Sequence, residues 1–219
     1  MKKFIKYLLL AAVSLFVIYS ILIRQPVFQD KILETAIDNM GTSKSMSYLP
    51  EEDALTAVVC GSRSPINDPN RAEACILVQA GDQIFIFDTG NGSAQNLQNW
   101  NTPWDKVQGI FYTHLHSDHI ADIAEFHMST WIAGQRVSKL KVYGPDGVQM
   151  LTDGIELAYK KDYFFRNKHH GDKLAPLDVA GFNTQTVDLE NSVLIDDGNL
   201  KITAYSVSHD PVDPALGYS

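Results

Sequence analysis

The architecture of this chain is clearest over residues 109–120, which read Gly109-Ile110-Phe111-Tyr112-Thr113-His114-Leu115-His116-Ser117-Asp118-His119-Ile120. The apolar run at 109–113 predicts a buried strand, and helical periodicity begins at Ile120 and continues to about Gly134. Three imidazoles and one carboxylate therefore fall in a loop between a strand and a helix. Such loops, at the carboxyl ends of strands, are where α/β proteins assemble their sites.

Strand and helix signals extend in both directions from this loop. Further apolar, β-branched runs predict strands over residues 55–60, 74–80, 83–88, 140–143, 193–195 and 200–207. A second helical pattern covers residues 147–161, and Gly81-Asp82 predicts a tight hairpin. Strands that alternate with helices place the chain in the mixed α/β classes, in layered α+β form.

The first 24 residues have the layout of a targeting segment. Lys2, Lys3 and Lys6 precede an uncharged apolar run from Tyr7 to Ile23. As a helix this run is about 25 Å long, at the short end of what crosses a bilayer. We expect an uncleaved signal anchor that leaves the rest of the protein exported, facing the periplasm or the outside. The alternatives are a signal peptide whose cleavage releases a secreted protein, and a buried core helix.

The remainder divides into a spacer at residues 25–54, with one short helix predicted at 31–40, and a folded domain at residues 55–219. The chain has 18 Lys and Arg against 26 Asp and Glu, and residues 1–24 hold four of the basic residues and none of the acidic ones. The rest of the chain therefore has a formal charge of −12. So acidic a surface repels polyanions, and nucleic acid is a disfavoured partner on this ground.

The two cysteines, Cys60 and Cys75, leave two interpretations open. In an exported, oxidising setting they could form one disulfide. Two buried free thiols on neighbouring strands is the interpretation that we favour from the sequence.

The histidine-rich loop predicts a metal site. His114 and His116 are two residues apart and can turn towards one ion, whereas Asp118 and His119 could serve a second ion. His209, at the end of the last predicted strand, is the best candidate to complete the first set. Imidazole and carboxylate ligands suit zinc, with iron or manganese also open. Metal ions polarise ester oxygens and activate water, so the implied reaction is hydrolysis. The alternative, a helix cap with exposed histidines, explains none of the three imidazoles.

Residues 114–119 resemble the signature of the metallo-β-lactamase superfamily. Four further segments resemble the branch of that superfamily that contains ribonuclease Z and arylsulfatase-like hydrolases: residues 59–65, 68–72, 87–90 and 208–211. The resemblance covers roughly residues 55–219. It implies an αββα sandwich with a dinuclear metal site.

The resemblance also implies a division of roles among the ligands. One zinc ion would be held by His114, His116 and His209, and the other by Asp118 and His119. Asp118 would in addition serve as the catalytic proton shuttle. The complete family site holds two ions, and one or two are expected here.

Three other residues lie outside this ligand set. Asp88 would orient the metal loop from behind the ligands. The alternative is that it only forms the turn that ends its strand. His170 would contact substrate from an insertion that folds over the metal pocket, with a solvated loop as the alternative. His127, within the helix after the metal loop, is interpreted as a structural residue.

The resemblance calls for a further Asp and a further His, and ten residues follow His209. We therefore expect the first half of the sandwich, truncated at its C-terminus and preceded by a hydrophobic helix. A mononuclear site would remain chemically sensible, because three protein ligands and an open position make a catalytic zinc site.

The leading functional hypothesis is a metal-dependent hydrolase that uses a metal-activated water on a small anionic ester, either a phosphodiester or a sulfate ester, and that meets the membrane through its N-terminal segment. A tRNA 3′-processing endoribonuclease similar to ribonuclease Z is the second hypothesis. The third is a non-catalytic metal-binding fragment.

Overall fold

The computed structural model describes residues 2–41, 49–50 and 54–219. The helices in these ranges are α1 (Lys2–Leu22), α2 (Pro26–Gly41), α3 (Ser93–Asn99), α4 (Ser117–Ile120), α5 (Ile123–Met128) and α6 (Val148–His170). The strands are β1 (Leu55–Gly61), β2 (Cys75–Ala80), β3 (Gln83–Phe87), β4 (Val107–Phe111), β5 (Leu140–Gly144), β6 (Phe182–Thr186), β7 (Val193–Asp196), β8 (Lys201–His209) and β9 (Val212–Tyr218). Mixed helices and strands confirm the predicted α/β class.

Two sheets organise the domain. The larger has six strands in the order β1-β2-β3-β4-β5-β6, antiparallel from β1 to β3 and parallel from β3 to β6. The smaller is the antiparallel sheet β7-β8-β9. Because β3, β4 and β5 run in parallel, their carboxyl ends meet at one edge of the larger sheet, and the histidine-rich loop leaves from that edge.

One face of the larger sheet packs against helices. Successive side chains of a strand point to opposite faces, so Ile84 and Ile86 of β3 and Ile110 of β4 share the helix side. They are buried with Leu97 of α3 and Phe126 of α5. Burying each such side chain contributes roughly 1.5–3 kcal/mol, which makes this layer the main core.

The opposite face packs against the smaller sheet. Phe85, Phe111 and Tyr143 alternate with the helix-side residues and are buried against Ile202 of β8. The rings of Phe111 and Tyr143 stack with centroids 4.6 Å apart and planes within 9°. The layers are thus helices, sheet and sheet, as the first half of an αββα sandwich requires.

The N-terminal region is helical over most of its length. Among the residues that the structure describes, no single helix has both the length and the apolar content to cross a membrane, although the segments Leu9–Leu22 and Pro26–Leu33, bent by 77°, meet those criteria as a pair. The anchor or signal peptide at residues 1–24 and the exported location stay predictions.

The predicted spacer at residues 25–54 is partly helical. The short helix expected at 31–40 begins earlier, at Pro26, because proline fits the first position of a helix, where no N–H donor is needed. Residues 42–48 and 51–53 of the spacer lie outside the described residues.

Cys60 and Cys75 form a disulfide, so the preference for two free thiols was wrong. Cys60 lies on β1 and Cys75 on β2, the neighbouring strands that the sequence predicts. The register shifts between Val59 and Gly61, where Gly61 takes the position opposite Cys75. This irregularity, which the residue pattern does not encode, sets Cys60 beside its partner with Cα atoms 5.0 Å apart.

Candidate metal centre

The histidine-rich loop begins where β4 ends and closes at the first residue of α4. His116 is the N-cap of α4 and has extended backbone, with φ −68° and ψ 150°. In extended chain, residues two apart point to the same side. His114 and His116 can therefore turn towards one point.

The structure brings three of the predicted ligands into one cluster. The ligand nitrogens of His114, His116 and His209 all lie within 4.8 Å of one another. His114 Nε2 is 3.1 Å from His116 Nδ1, and the ring centroids of His114 and His209 are 4.6 Å apart. An ion with nitrogen ligands at about 2.0–2.1 Å in a tetrahedral site separates those nitrogens by about 3.4 Å, so the spacing suits one bound ion.

The other two predicted ligands adjoin this cluster. The ring centroid of His119 is 4.0 Å from that of His114. His119 Nε2 lies 3.7 Å from Oδ2 of Asp118, which is buried on α4. All five predicted ligands thus occupy one end of the sandwich, with the Asp118–His119 pair beside the three-histidine cluster.

Asp88 lies behind the ligands. Its Oδ1 accepts a hydrogen bond from the backbone N–H of Thr113 at 2.9 Å, and its Oδ2 lies 2.8 Å from His119 Nδ1. Asp88 is buried and has φ +60°, a left-handed conformation that Asp tolerates better than most residues. The structure therefore places this carboxylate against the metal loop, with His119 and Thr113 as its partners.

Thr113 is a site residue that sequence reasoning missed. Its hydroxyl donates to Asp88 Oδ2 at 2.9 Å and lies 3.0 Å from His114 Nδ1, from which its oxygen can accept. The Nδ1 atoms of His114 and His119 are both engaged, which leaves both Nε2 atoms for the cluster. No residue pattern marks Thr113, and only the general rule that a metal-binding histidine gives its second ring nitrogen to a nearby oxygen points to such a partner.

Backbone hydrogen bonds hold the loop to the turn after β3. Thr89 N–H donates to the carbonyl of His119 at 2.7 Å, and Asp122 N–H donates to the carbonyl of Thr89 at 2.8 Å. Gly90 lies against the backbone of Asp118 so closely that a Cβ atom there would collide with the Asp118 carbonyl oxygen. Only glycine allows this approach.

β9 connects the loop to the second sheet. Leu216 N–H donates to the Thr113 carbonyl at 2.8 Å, and the Tyr218 hydroxyl donates to the Tyr112 carbonyl at 2.7 Å. β9 pairs with β8, and β8 ends at His209. These contacts bring His209, remote in sequence, to the loop.

The pKa values of the two inner imidazoles move in opposite directions. Burial, with the neighbouring imidazoles, lowers the pKa of His114 to about 4, so that it is neutral at pH 7, as a metal ligand must be. Burial also acts to lower the pKa of His119, but the hydrogen bond and charge of Asp88, with the charges of Asp118 and Glu73, outweigh it and raise that pKa. Three clustered imidazoles with a neutral inner member fit a divalent transition ion such as zinc.

Two other histidines lie elsewhere. His127 is buried on α5, where its Nε2 accepts from the Gly181 N–H at 2.7 Å, which confirms that it is a packed helix residue. His170 is the last residue of α6, not part of a loop, and its Nδ1 lies 3.5 Å from Asp30 of α2. The stretch around His170, expected as an insertion in a loop, is helical up to its cap at Gly171, and the substrate contact of His170 stays a prediction. A substrate-binding role for His170 has no support in these contacts.

Comparison with known proteins agrees with this geometry. The model of the metallo-beta-lactamase superfamily matches residues 69–199, more than half of the chain. The chain belongs to the metallo-beta-lactamase superfamily. The matched residues include the whole histidine-rich loop, so the family resemblance drawn from residues 114–119 is confirmed.

Relatives and solved structures refine the comparison. Ribonuclease Z of Mycobacterium marinum is 31% identical over 166 residues, a match that covers 75% of this chain and 58% of the relative. The metallo-beta-lactamase fold protein YhfI from Bacillus subtilis superposes with a TM-score of 0.55 at 20% identity, over 76% of this chain and 59% of YhfI. Human tRNase Z, short form, superposes with a TM-score of 0.54 at 20% identity, over 74% of this chain and 62% of that protein. This superfamily member thus spans somewhat more than half the length of the relatives that it matches.

Proposed function

We propose that this chain forms the metal-binding part of a hydrolase that cleaves phosphodiester bonds. The cluster of His114, His116 and His209, with all three ligand nitrogens within 4.8 Å of one another, is the observation that carries the proposal. A divalent ion held there would supply Lewis-acid polarisation of an ester oxygen and a water of lowered pKa. Zinc suits these ligands, and iron and manganese are the other ions that should be titrated.

The surrounding residues contribute orientation and proton transfer. Asp88 and Thr113 fix the rings of His114 and His119 so that their Nε2 atoms face the cluster. Asp118 is a buried carboxylate beside His119, a position from which it can bind a second ion or pass a proton to the leaving oxygen. We propose Asp118 for the second of these roles whenever a second ion is absent.

The type of ester follows from the relatives. The relatives from Mycobacterium marinum and Mycolicibacterium gilvum are named ribonuclease Z, and RNA is a phosphodiester. No observation favours a sulfate ester, so the hypothesis is narrowed to phosphodiesters.

RNA 3′-end processing is the second candidate function, and the 31% identity to a protein named ribonuclease Z favours it. This name conflicts with the expectation that nucleic acid is a disfavoured partner. That expectation rested on the formal charge of −12 over residues 25–219, and a net charge does not describe the local potential at one edge of a sheet.

Metal binding is tested first, because the chemistry depends on it. Zinc titration of the metal-stripped full chain should give a tight site that weakens at least tenfold in His114→Ala, His116→Ala and His209→Ala. His169→Ala is the matched control, because His169 is exposed at the end of α6. Equal affinity in all four variants would refute the cluster as the site.

Activity is tested on the zinc-loaded chain with bis(p-nitrophenyl) phosphate, p-nitrophenyl sulfate and a precursor tRNA. The proposal is supported if the parent chain and His169→Ala hydrolyse bis(p-nitrophenyl) phosphate and His116→Ala does not. Cleavage of the precursor tRNA alone would establish the second candidate instead. Tight zinc binding without turnover on any substrate would establish the non-catalytic fragment.

A further inference from the structure

Helix α6 has a solvent-facing strip of mixed apolar and basic character. We call it the outer strip and define it by six exposed residues: Leu157, Lys160, Lys161, Phe164, Phe165 and Lys168. Residues three, four and seven apart lie on one side of a helix, and these six follow that spacing. Met150, seven residues before Leu157, continues the strip and is 77% exposed.

The apolar members of the outer strip are large and poorly covered. Leu157 is 74% exposed and Phe165 is 62% exposed, whereas a surface helix normally keeps such side chains on its buried face. A groove of about 640 Å³ runs beside them, with Leu157, Phe164 and Leu177 among the residues that line it. An apolar patch with a groove of this size is typical of a binding surface.

The charges of the outer strip have one sign. Its three exposed charged residues are lysines, and the one acid in the segment 157–168, Asp162, is held by Arg166 at 2.7 Å. Asp153 and Glu156 line the groove before this segment, where Glu156 accepts from the Phe182 N–H at 2.7 Å. A cluster of lysines on an otherwise acidic chain points to an anionic partner.

Helix α2 is a second helix with exposed apolar residues. α2 lies against the end of α6, where Asp30 is 3.5 Å from His170. It exposes Val27, Phe28 and Ile32. At 100° of rotation per residue, His170 lies on the side of α6 away from the outer strip, so α2 packs there and leaves the outer strip uncovered.

We propose that the outer strip of α6 rests on an anionic lipid surface, with the lysines at the headgroups and Leu157, Phe164 and Phe165 in the acyl boundary. Helices with lysines beside large apolar residues bind bilayer surfaces in this way. RNA would also attract the lysines and could stack bases on Phe164 and Phe165, but it would leave Leu157 and Met150 uncovered, whereas an acyl boundary covers all four apolar side chains. The inference is independent of the proposed hydrolysis.

The test measures contact of one side chain with lipid in the full chain. Phe165→Trp places a fluorophore in the outer strip, and Val137→Trp places one in the loop before β5, at a site that is 93% exposed. Both variants keep the native Trp100, Trp104 and Trp131 as a common background. Vesicles contain brominated-acyl phosphatidylcholine, with or without phosphatidylglycerol, so that bromine quenches a tryptophan that enters the acyl boundary.

We expect strong quenching of Phe165→Trp in vesicles with phosphatidylglycerol, and little in phosphatidylcholine alone or in Val137→Trp. Reversing the lysines, with Lys160→Glu, Lys161→Glu and Lys168→Glu in the Phe165→Trp chain, should abolish the difference between the two vesicle types. Because the readout is local, attachment through α1 does not imitate it. Circular dichroism verifies that the variants keep their helix content.

Four outcomes would overturn the proposal. Equal quenching of the two tryptophan variants would show that the outer strip does not contact the lipid in particular. Equal quenching with and without phosphatidylglycerol would show that the contact does not require anionic lipid. A change in the fluorescence of Phe165→Trp with tRNA and not with vesicles would show that the partner of the outer strip is RNA. A shift of its emission with protein concentration in the absence of vesicles would show that a second copy of the chain covers the outer strip.

Discussion

Oδ2 of Asp88 lies 2.8 Å from Nδ1 of His119, and this contact determines which ring nitrogen of His119 faces the metal cluster. The same oxygen accepts from the Thr113 hydroxyl at 2.9 Å. One buried carboxylate oxygen therefore serves two donors that both belong to the metal loop. In asparagine one of the two oxygens becomes an N–H₂ group, so either these two donors or the Thr113 N–H would lose their acceptor.

Asp88→Asn should lower the pKa of His119 and weaken zinc binding about 10- to 100-fold, because the ring loses the acceptor that orients it. NMR titration of the imidazole gives the first quantity and calorimetric zinc titration the second. The matched control is Asp122→Asn, a half-buried carboxylate that accepts from the Ala94 N–H at 3.1 Å. The orienting role of Asp88 would be contradicted if both variants bound zinc like the parent chain.

Gly90→Ala should disorder the metal loop and destabilise the fold, by at least the 1–3 kcal/mol typical of overpacking. The added methyl group would collide with the Asp118 carbonyl oxygen and with Cβ of Glu73. Urea unfolding measures the free energy, and zinc titration measures the site.

Gly154→Ala is the control for this substitution. Gly154 lies inside α6, and a Cβ atom there meets no atom within 4 Å. Alanine at this position should stabilise the chain by about 0.5–1 kcal/mol through helix propensity. A stabilised Gly90→Ala chain with intact zinc binding would show that the close approach of the turn is not needed.

The sequence predicts the inner strands of this fold well and two edge strands not at all. β3, β4 and β5 are apolar and buried, so their residue patterns are unambiguous. β6 lies at the edge of its sheet and carries polar residues after Phe182, a pattern that is typical of a loop. β9 contains Pro214, which argues against a strand except at an edge, and an edge is where β9 lies.

The helices show what a periodicity pattern leaves out. The helix expected from Ile120 to about Gly134 is divided at Asp122, because the Asp122 N–H donates to the Thr89 carbonyl. α6 continues to His170 instead of ending near residue 161, since no glycine or proline follows residue 161 until Gly171, where the backbone takes φ 77°. The interpretation of His170 as a loop residue failed for that reason.

The grouping of the candidate ligands was predictable, and the residues that hold them in place were not. Four of the candidates share one short stretch of sequence, so their proximity follows from the sequence. The approach of His209 depends on the pairing of β9 with β8 and on the contact between Leu216 and Thr113, which are long-range. Thr113 has no distinctive pattern of its own, and its role emerges only when Asp88 is seen beside it.

Removing the disulfide should cost about 3 kcal/mol. Cys60 and Cys75 close a loop with a sequence separation of 15 residues, and cross-linking a loop of that size restricts the unfolded chain by about this free energy. Urea unfolding of Cys60→Ser/Cys75→Ser, compared with the oxidised parent chain, gives the value. The reduced parent chain is the control, and it should unfold at nearly the same urea concentration as the double variant.

The stability of the metal-free chain should fall as the pH drops from about 6.5 to about 4, in part because of His127. Burial, with the charges of Arg136 and Lys139, lowers the pKa of His127 to about 4. In the unfolded chain the imidazole titrates near 6.5. Between these values the unfolded state binds the extra proton, so stability rises with pH, by about 2 kcal/mol between pH 5 and pH 7.

His127→Gln isolates this contribution from that of the other histidines. The glutamine carbonyl can accept from the Gly181 N–H, as His127 Nε2 does at 2.7 Å, but it does not titrate. The difference in unfolding free energy between the parent chain and the variant should therefore change by about 2 kcal/mol between pH 5 and pH 7. Parallel pH profiles for the two chains would mean that His127 is protonated in the folded state as readily as in the unfolded one. In that case a proton acceptor must reach its Nδ1, an atom that is buried without a hydrogen-bond partner among the described residues.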